Sequence, residues 1–152
     1  MIFRTVSEKD TYEFGSALGK NLAAGDCVLL TGDLGAGKSV VARGIAGAHG
    51  ITGAMPSPTF VLMIPYEGDT NVYHFDLYRM DDPDEFYQAG LQEYIGGDGI
   101  AVVEWPQMAE LEPQGAVKVE VLRSERDDDE RIIHVDAAGR VFEGMEAWRY
   151  EE

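Results

Sequence analysis

The stretch GDLGAGKS, Gly32 to Ser39, constrains the fold of this chain more than any other feature. It satisfies the phosphate-binding pattern G-x-x-x-x-G-K-[ST], and it stands between the apolar run CVLL and the helix-like stretch VARGIAGAHG. A strand, a glycine-rich loop and a helix in this order let successive backbone N–H groups and the positive helix end face an anion. We therefore predict a nucleotide-phosphate site formed by Gly32, Asp33, Leu34, Gly35, Ala36, Gly37, Lys38, Ser39 and Val40.

Hydrolysis of a bound nucleotide needs groups that the loop alone does not contain. Within the pattern, Lys38 would reach the β- and γ-phosphates and the Ser39 hydroxyl would ligate Mg²⁺. Two acidic residues end apolar runs, Asp76 in YHFD and Glu104 in IAVVE. Ligands of open α/β sheets lie at the carboxyl ends of the strands, so Glu104 is the candidate second Mg²⁺ ligand. Asp76 is the candidate for positioning water or supporting the metal.

The type of nucleotide is indicated by what the chain lacks. A guanine-reading NKxD string does not occur, and the DxxG string DAAG begins at Asp136, too near the end of the chain for a switch. ATP is therefore favoured. Thr59, in the proline-rich loop PSPTF, lies where a switch threonine would contact the γ-phosphate and Mg²⁺. Zinc is not expected, because the three histidines are scattered.

The first half of the chain alternates between strand and helix patterns. After the short strand IFRTV, Ser7 is a good helix N-cap, and Phe14, Leu18 and Leu22 recur at helical spacing, which predicts a helix to about Ala24. The helix after the phosphate loop should stop at Gly50.

Strand patterns dominate the second half of the chain. A hairpin is predicted with its turn at residues 67–71, followed by short helices in DDPDEFYQAGLQEYI and the strand that ends at Glu104. AVKVEVL and RIIHVDA should pair across the acidic turn, and RVFEGMEAWRYEE could be a closing helix or a frayed tail. We predict one P-loop NTPase-like α/β domain over residues 1–152, with a mostly parallel central sheet, an antiparallel extension and helices on both faces.

Charge and composition restrict the partners. The 12 Lys and Arg residues against 28 Asp and Glu give a net charge of −16, so tight binding of nucleic acid by this chain alone is disfavoured. No apolar run reaches the length of a membrane span, and the N-terminus lacks a signal-peptide pattern, which favours a cytoplasmic protein. The single cysteine, Cys27, is expected to be buried and unreactive.

Five stretches taken together resemble one family. In order they are GDLGAGKS, SPTF, YHFDLYR, GLQEYI and VVEWPQ, and they resemble the TsaE family, also called YjeE. The likeness runs from about residue 5 to residue 107. It implies a small Mg²⁺-dependent ATPase, slow unless stimulated, that supports the partner proteins TsaB and TsaD in threonylcarbamoyl modification of the tRNA adenosine beside the anticodon.

The resemblance also assigns individual residues. It implies magnesium ligands at Ser39 and Glu104, the phosphate lysine at Lys38, the switch-like threonine at Thr59 and a functional aspartate at Asp76. Trp105 matches the aromatic residue that follows the family's glutamate, and residues 7–11 correspond to the segment that borders the nucleotide base. Most members have threonine in place of Ser39, which keeps the hydroxyl. No motif is recognisable from Glu110 onward.

Two other functions remain open from the residues. A small-molecule P-loop kinase would need an arginine-bearing lid, and the chain after Glu104 is short and poor in arginine outside the acidic turn. An ATP-gated binding module without productive turnover would use the nucleotide only to order SPTF. Arg131 could approach the phosphates from the last hairpin, but an ordinary surface arginine in an acidic turn is the favoured interpretation.

Overall fold

A seven-stranded sheet organises the parts of the chain that the computed structural model describes, residues 1–53, 55 and 62–151. The strands are β1 (Ile2–Thr5), β2 (Cys27–Thr31), β3 (Met63–Tyr66), β4 (Val72–Asp76), β5 (Ile100–Glu104), β6 (Val117–Arg123) and β7 (Arg131–Asp136). The helices are α1 (Glu8–Gly19), α2 (Lys38–Ala48) and α3 (Pro83–Gln88), with single 3₁₀ turns at Leu91–Tyr94, Pro106–Ala109 and Glu146–Trp148.

The strand order is β1-β7-β6-β2-β5-β4-β3. The four central strands β6, β2, β5 and β4 are parallel to one another, whereas β3 and the β7–β1 pair extend the sheet antiparallel at its two edges. Strands β2 and β5 are apolar almost throughout because both of their faces are covered. The predicted α/β fold with an antiparallel extension is confirmed.

Helical elements cover both faces of the sheet. On one face, α1 and α2 pack together over a core that includes Phe14, Leu18, Ile45, Val119 and Ile133. On the opposite face, α3 and the first two 3₁₀ turns cover a second core, which contains Phe75, Leu77, Met80 and Phe86. No helix in the described parts of the chain combines the length and apolar character needed to cross a membrane.

Helix α1 begins as predicted but ends early. The Ser7 hydroxyl accepts a hydrogen bond from the Asp10 N–H at 3.0 Å, which confirms the N-cap. The helix stops at Gly19, not near Ala24, because the following N–H groups bond to carbonyls three residues back and tighten the chain into a turn. The Asn21 side chain then bonds to the backbone of Glu143, so a distant segment stabilises this turn.

The C-terminal segment is neither the closing helix nor the frayed tail that the pattern suggested. Tyr150 donates its N–H to the Ile2 carbonyl, and Arg149 forms an isolated bridge with Phe3 on β1. The Trp148 indole N–H donates to the Asp10 carboxylate at 2.8 Å. These bonds tie an irregular segment along the sheet edge and the start of α1, and they satisfy backbone groups that a helix would have bonded internally.

Candidate nucleotide site

The phosphate-binding pattern forms a loop between β2 and α2, as predicted. Gly32 has φ +141°, and a Cβ there would lie 2.4 Å from the carbonyl oxygen of Val121 on β6. Only glycine therefore allows the loop to pass so close to β6. Gly37 caps α2 with φ +115°, a conformation that other residues rarely adopt. Helix α2 therefore begins directly at the loop, and the N–H groups of a first helical turn have no carbonyl partner within their own helix.

The Lys38 side chain is 4% exposed and lies against the loop itself. Its ammonium donates to the carbonyl oxygens of Gly32 at 2.6 Å and Asp33 at 2.8 Å, and it sits 4.5 Å from the centre of the Trp105 ring. Burial lowers the pKa of Lys38, and the nearby carboxylates, with Glu104 first, oppose that shift. The ammonium is thus bonded to loop carbonyls, and a bound phosphate chain would replace these carbonyls as its partners.

The two strand-end carboxylates lie side by side. Strands β4 and β5 are parallel neighbours, and their register pairs Asp76 with Glu104. The Glu104 carboxylate is 3% exposed, with both oxygens 3.4 Å from the Ser39 hydroxyl. His74 Nε2 lies 2.6 Å from the same carboxylate. The structure therefore brings together three distant parts of the sequence: the start of α2, the end of β4 and the end of β5.

Asp76 is partly buried and accepts a hydrogen bond from the Tyr78 N–H at 3.1 Å. Burial raises the pKa of Asp76, and the Glu104 charge adds to that rise. The Tyr78 N–H, His74 and Lys38 act in the opposite direction. A carboxylate with a raised pKa accepts protons more readily at neutral pH, which suits a residue that orients a water molecule.

Two cavities flank the loop. One, of about 270 Å³, is lined by Leu34, Gly35, Gly37, Lys38, Ser39, Val40, Asp76, Tyr78, Glu104 and Trp105. The other, of about 180 Å³, is lined by Glu8, Thr11, Gly35, Gly37, Val40, Asp129 and Arg131. The first joins the predicted catalytic and phosphate-site side chains, and the second joins the loop to the start of α1. Thr59, the predicted switch residue, lies outside the described residues.

Trp105 has an unusual backbone conformation at the edge of the first cavity. Its φ of 59° is left-handed, which is rare for a bulky residue, and its N–H donates to the Leu30 carbonyl at 3.3 Å. Its ring packs 4.8 Å from that of Tyr78. This conformation directs the indole over Lys38, and backbone strain of this kind is concentrated at functional sites.

The oxygen atoms near the loop suit a Mg²⁺ ion that is bound together with phosphate. They do not suit a metal ion that is held by protein side chains alone. No group of three or more His, Cys, Asp or Glu residues within ranges 1–53 and 62–151 could hold a metal ion. Mg²⁺ is usually bound through one or two protein oxygens together with substrate phosphates and water. The Ser39 hydroxyl and the Glu104 carboxylate provide such oxygens beside the phosphate loop.

Three residues at this site were missed or misjudged from the sequence. His74 precedes Asp76 by two positions, so strand periodicity could have placed it on the same face. Arg123 Nη2 donates to the Gly35 carbonyl at 3.0 Å, and Arg131 Nε donates to the Ala36 carbonyl at 2.6 Å. The expectation that Arg131 is an ordinary surface arginine is wrong, because β7 and β6 lie on the side of the sheet next to the loop.

Comparisons with known proteins point to one family. The family model "Threonylcarbamoyl adenosine biosynthesis protein TsaE" matches residues 5–133. The chain is 38% identical over 143 residues to the tRNA threonylcarbamoyladenosine biosynthesis protein TsaE of Bacillus subtilis, covering 93% of this chain and 88% of that one. A relative of the same name from Treponema pallidum is 39% identical over 99 residues, 65% of this chain and 73% of its own.

A solved structure provides independent support for the fold. The crystal structure of Bacillus subtilis YdiB superposes with a TM-score of 0.75 and 34% sequence identity, over 91% of this chain and 86% of that one. The family model matches well over half of the chain, and it includes the phosphate loop, both strand-end carboxylates and Trp105. The chain belongs to the TsaE family of threonylcarbamoyl adenosine biosynthesis proteins.

Proposed function

We propose that this protein is a Mg²⁺-dependent ATPase that supports a TsaB- and TsaD-like transferase complex in threonylcarbamoyl modification of tRNA. The observation that carries the proposal is the meeting of Lys38, Ser39, Asp76 and Glu104 around one cavity beside the phosphate loop. Relatives named for tRNA threonylcarbamoyladenosine biosynthesis support the biological role. A cytoplasmic location, where ATP and Mg²⁺ are available, goes with this proposal.

Binding of ATP starts with the phosphate loop. The backbone N–H groups of the loop and of the first turn of α2 bind the phosphates. The Lys38 ammonium exchanges the carbonyls of Gly32 and Asp33 for the β- and γ-phosphate oxygens. Because burial destabilises the ammonium when it has no anionic partner, the phosphates strengthen its charged form.

Hydrolysis depends on the two strand-end carboxylates. Ser39 and Glu104 would hold Mg²⁺, which neutralises charge on the phosphate oxygens. His74 keeps the Glu104 carboxylate turned towards Ser39. Asp76, next to Glu104 in the register, orients the attacking water. These roles need no acceptor other than water.

Trp105 and Thr59 complete the proposed site. The Trp105 indole covers the Lys38 side chain at the mouth of the cavity, where a bound partner or nucleotide would contact it. The role of Thr59 as a switch that contacts the γ-phosphate rests on the sequence alone. The net charge of −16 favours docking on protein partners over direct binding to tRNA.

The first experiment measures ATP binding and hydrolysis with and without Mg²⁺. Lys38→Ala should abolish both, and Glu104→Gln should lose hydrolysis and the Mg²⁺ dependence of binding. Lys118→Ala is the matched control, because this half-exposed lysine on β6 pairs with Glu112. Normal turnover by Lys38→Ala would refute the site assignment.

The second experiment tests the role in tRNA modification. The protein is combined with ATP, tRNA, a threonylcarbamoyl donor and purified TsaB- and TsaD-like partners, and modified adenosine is measured over repeated turnovers. We expect product only when the partners are present, and more of it with the wild-type chain than with Lys38→Ala. Modified tRNA made by this chain alone would contradict the accessory role.

The same assays separate the alternatives. Phosphate transfer from ATP to a metabolite would indicate a small-molecule kinase. Full support of the partners by Asp76→Asn or Glu104→Gln, without hydrolysis, would indicate an ATP-gated binding module. Loss of both hydrolysis and support would favour the ATPase.

A further inference from the structure

The outer side of the phosphate loop is held by two arginines from the β6–β7 hairpin. Arg123 Nη2 donates to the carbonyl oxygens of Gly35 at 3.0 Å and Leu34 at 3.4 Å. Arg131 Nε donates to the carbonyl oxygen of Ala36 at 2.6 Å. Three consecutive carbonyls of the loop therefore bond to guanidinium groups from residues about 90 positions away in the chain.

The β6–β7 hairpin places the two arginines opposite each other. Arg123 and Arg131 are register partners in the antiparallel β6–β7 pair. Arg131 Nη1 also donates to the carbonyls of Asp128 at 2.5 Å and Glu130 at 2.9 Å, which fixes the guanidinium on the hairpin. The Arg123 contact is close, because a Cβ at Gly35 would lie 2.6 Å from Nη2.

The charges of these arginines are directed at the loop. Across ranges 1–53 and 62–151, neither guanidinium lies within ion-pair distance of a carboxylate. Arg126, on the same hairpin, differs in this respect, because it pairs with Glu130 at 2.8 Å and bonds to Tyr150. Two positive charges thus remain behind an anion-binding loop in a chain of net charge −16.

The hydrogen bonds to the loop carbonyls also affect the N–H groups of the same peptide bonds. A peptide whose C=O bonds to a cation is polarised, and its N–H becomes a stronger donor. The loop is also rich in glycine and exposed at residues 33–35, so it has much conformational freedom to lose when it binds phosphate. The arginine hydrogen bonds already fix these carbonyls before phosphate binds, so the loop loses less conformational entropy on binding.

We propose that Arg123 and Arg131 are positioning residues that hold the phosphate loop in its binding conformation and so set its affinity for the phosphate chain. They act through the carbonyls of Leu34, Gly35 and Ala36, not by contact with the nucleotide. The inference rests on the proposed nucleotide site. It adds the β6–β7 hairpin to that site, although the sequence there carries no motif.

The test compares Arg123→Ala, Arg131→Ala and the double variant with wild type. Calorimetry gives the Kd for MgATP and for MgADP, and hydrogen exchange of the nucleotide-free protein gives protection of amides 33–37. Each single variant should bind both nucleotides about tenfold more weakly, with equal losses for ATP and ADP. Amides 33–37 should exchange faster in the same variants, while the melting temperature changes little.

Two further variants make the result specific. Arg123→Lys should recover part of the affinity, because a lysine keeps the charge but reaches fewer carbonyls. Arg126→Ala is the matched control, since it removes an arginine of the same hairpin that makes no loop contact. Its nucleotide affinity and loop exchange should equal those of wild type.

Several outcomes would overturn the proposal. Unchanged affinity and exchange in both alanine variants would do so, as would an equal loss in Arg126→Ala. A loss confined to ATP would mean direct contact with the γ-phosphate instead. If wild type binds neither nucleotide, the proposed function fails, and the exchange measurement still decides whether the arginines hold the loop.

Discussion

The crossing of α1 and α2 depends on two glycines, and alanine at either should destabilise the protein. A Cβ at Gly15 would lie 2.6 Å from the Val41 carbonyl oxygen, and one at Gly44 would lie 2.3 Å from the Tyr12 carbonyl oxygen. Real Cβ atoms do not approach other atoms so closely. Since the opposing atoms belong to helix backbones, Gly15→Ala or Gly44→Ala must push the helices apart.

The expected loss follows from two opposing effects. Overpacking of a close contact costs about 3 kcal/mol at the upper end of its usual range. Alanine in a helix regains about 1 kcal/mol relative to glycine. Each variant should therefore lose about 2 kcal/mol of unfolding free energy, which corresponds to a melting temperature lowered by about 4–8 °C in a protein of this size. The loss matters for the site because α2 begins at Lys38.

Gly47→Ala is the matched control on α2. Its added Cβ would lie 2.3 Å from Tyr12 Oη, the end of a flexible side chain that can swing away. This variant should be as stable as wild type or more stable by up to about 1 kcal/mol. Urea denaturation with unchanged m-values, checked by calorimetry, measures all three. Wild-type stability of Gly44→Ala, or an equal loss in Gly47→Ala, would refute the packing argument.

Three more predictions concern single side chains. Burial raises the pKa of Asp76 above 3.8, so the folded state holds this proton more tightly than the unfolded state does. The free energy of unfolding therefore falls as pH rises from 3.8 through the higher pKa of the folded state. Asp76→Asn should therefore be more stable than wild type at pH 7 in urea titrations, with the difference fading below pH 3.8; equal pH dependence would contradict this. His74→Leu should weaken Mg²⁺ binding with ATP about 10- to 100-fold in metal titrations, while His74→Gln keeps a donor and loses less. Burial raises the pKa of Cys27 to about 12, so a thiol reagent should react with it only after unfolding; fast reaction of the native protein would show that the thiol is accessible.

Much of the fold follows from local patterns in the sequence. The N-cap at Ser7, the 67–71 turn, the ends of β4 and β5 and the alternation of Val117, Val119 and Val121 match the structure. Each depends on residues within a few positions of one another, or on a period of two or 3.6. The end of α1 and the form of the C-terminal segment did not follow, because Asn21 and Trp148 bond to groups more than 100 residues away.

The sequence by itself determined the phosphate loop, the strand before it, the helix after it and the placement of Lys38 and Ser39 near strand-end carboxylates. A glycine-rich turn between a buried strand and a helix has few possible forms, and parallel strands end at the same edge. Only the tertiary structure decided that β6 lies directly beside β2, so that Arg123 and Arg131 reach loop carbonyls 88 and 95 residues away. Strand order is a choice among long-range packings of similar apolar faces, and no local pattern specifies it.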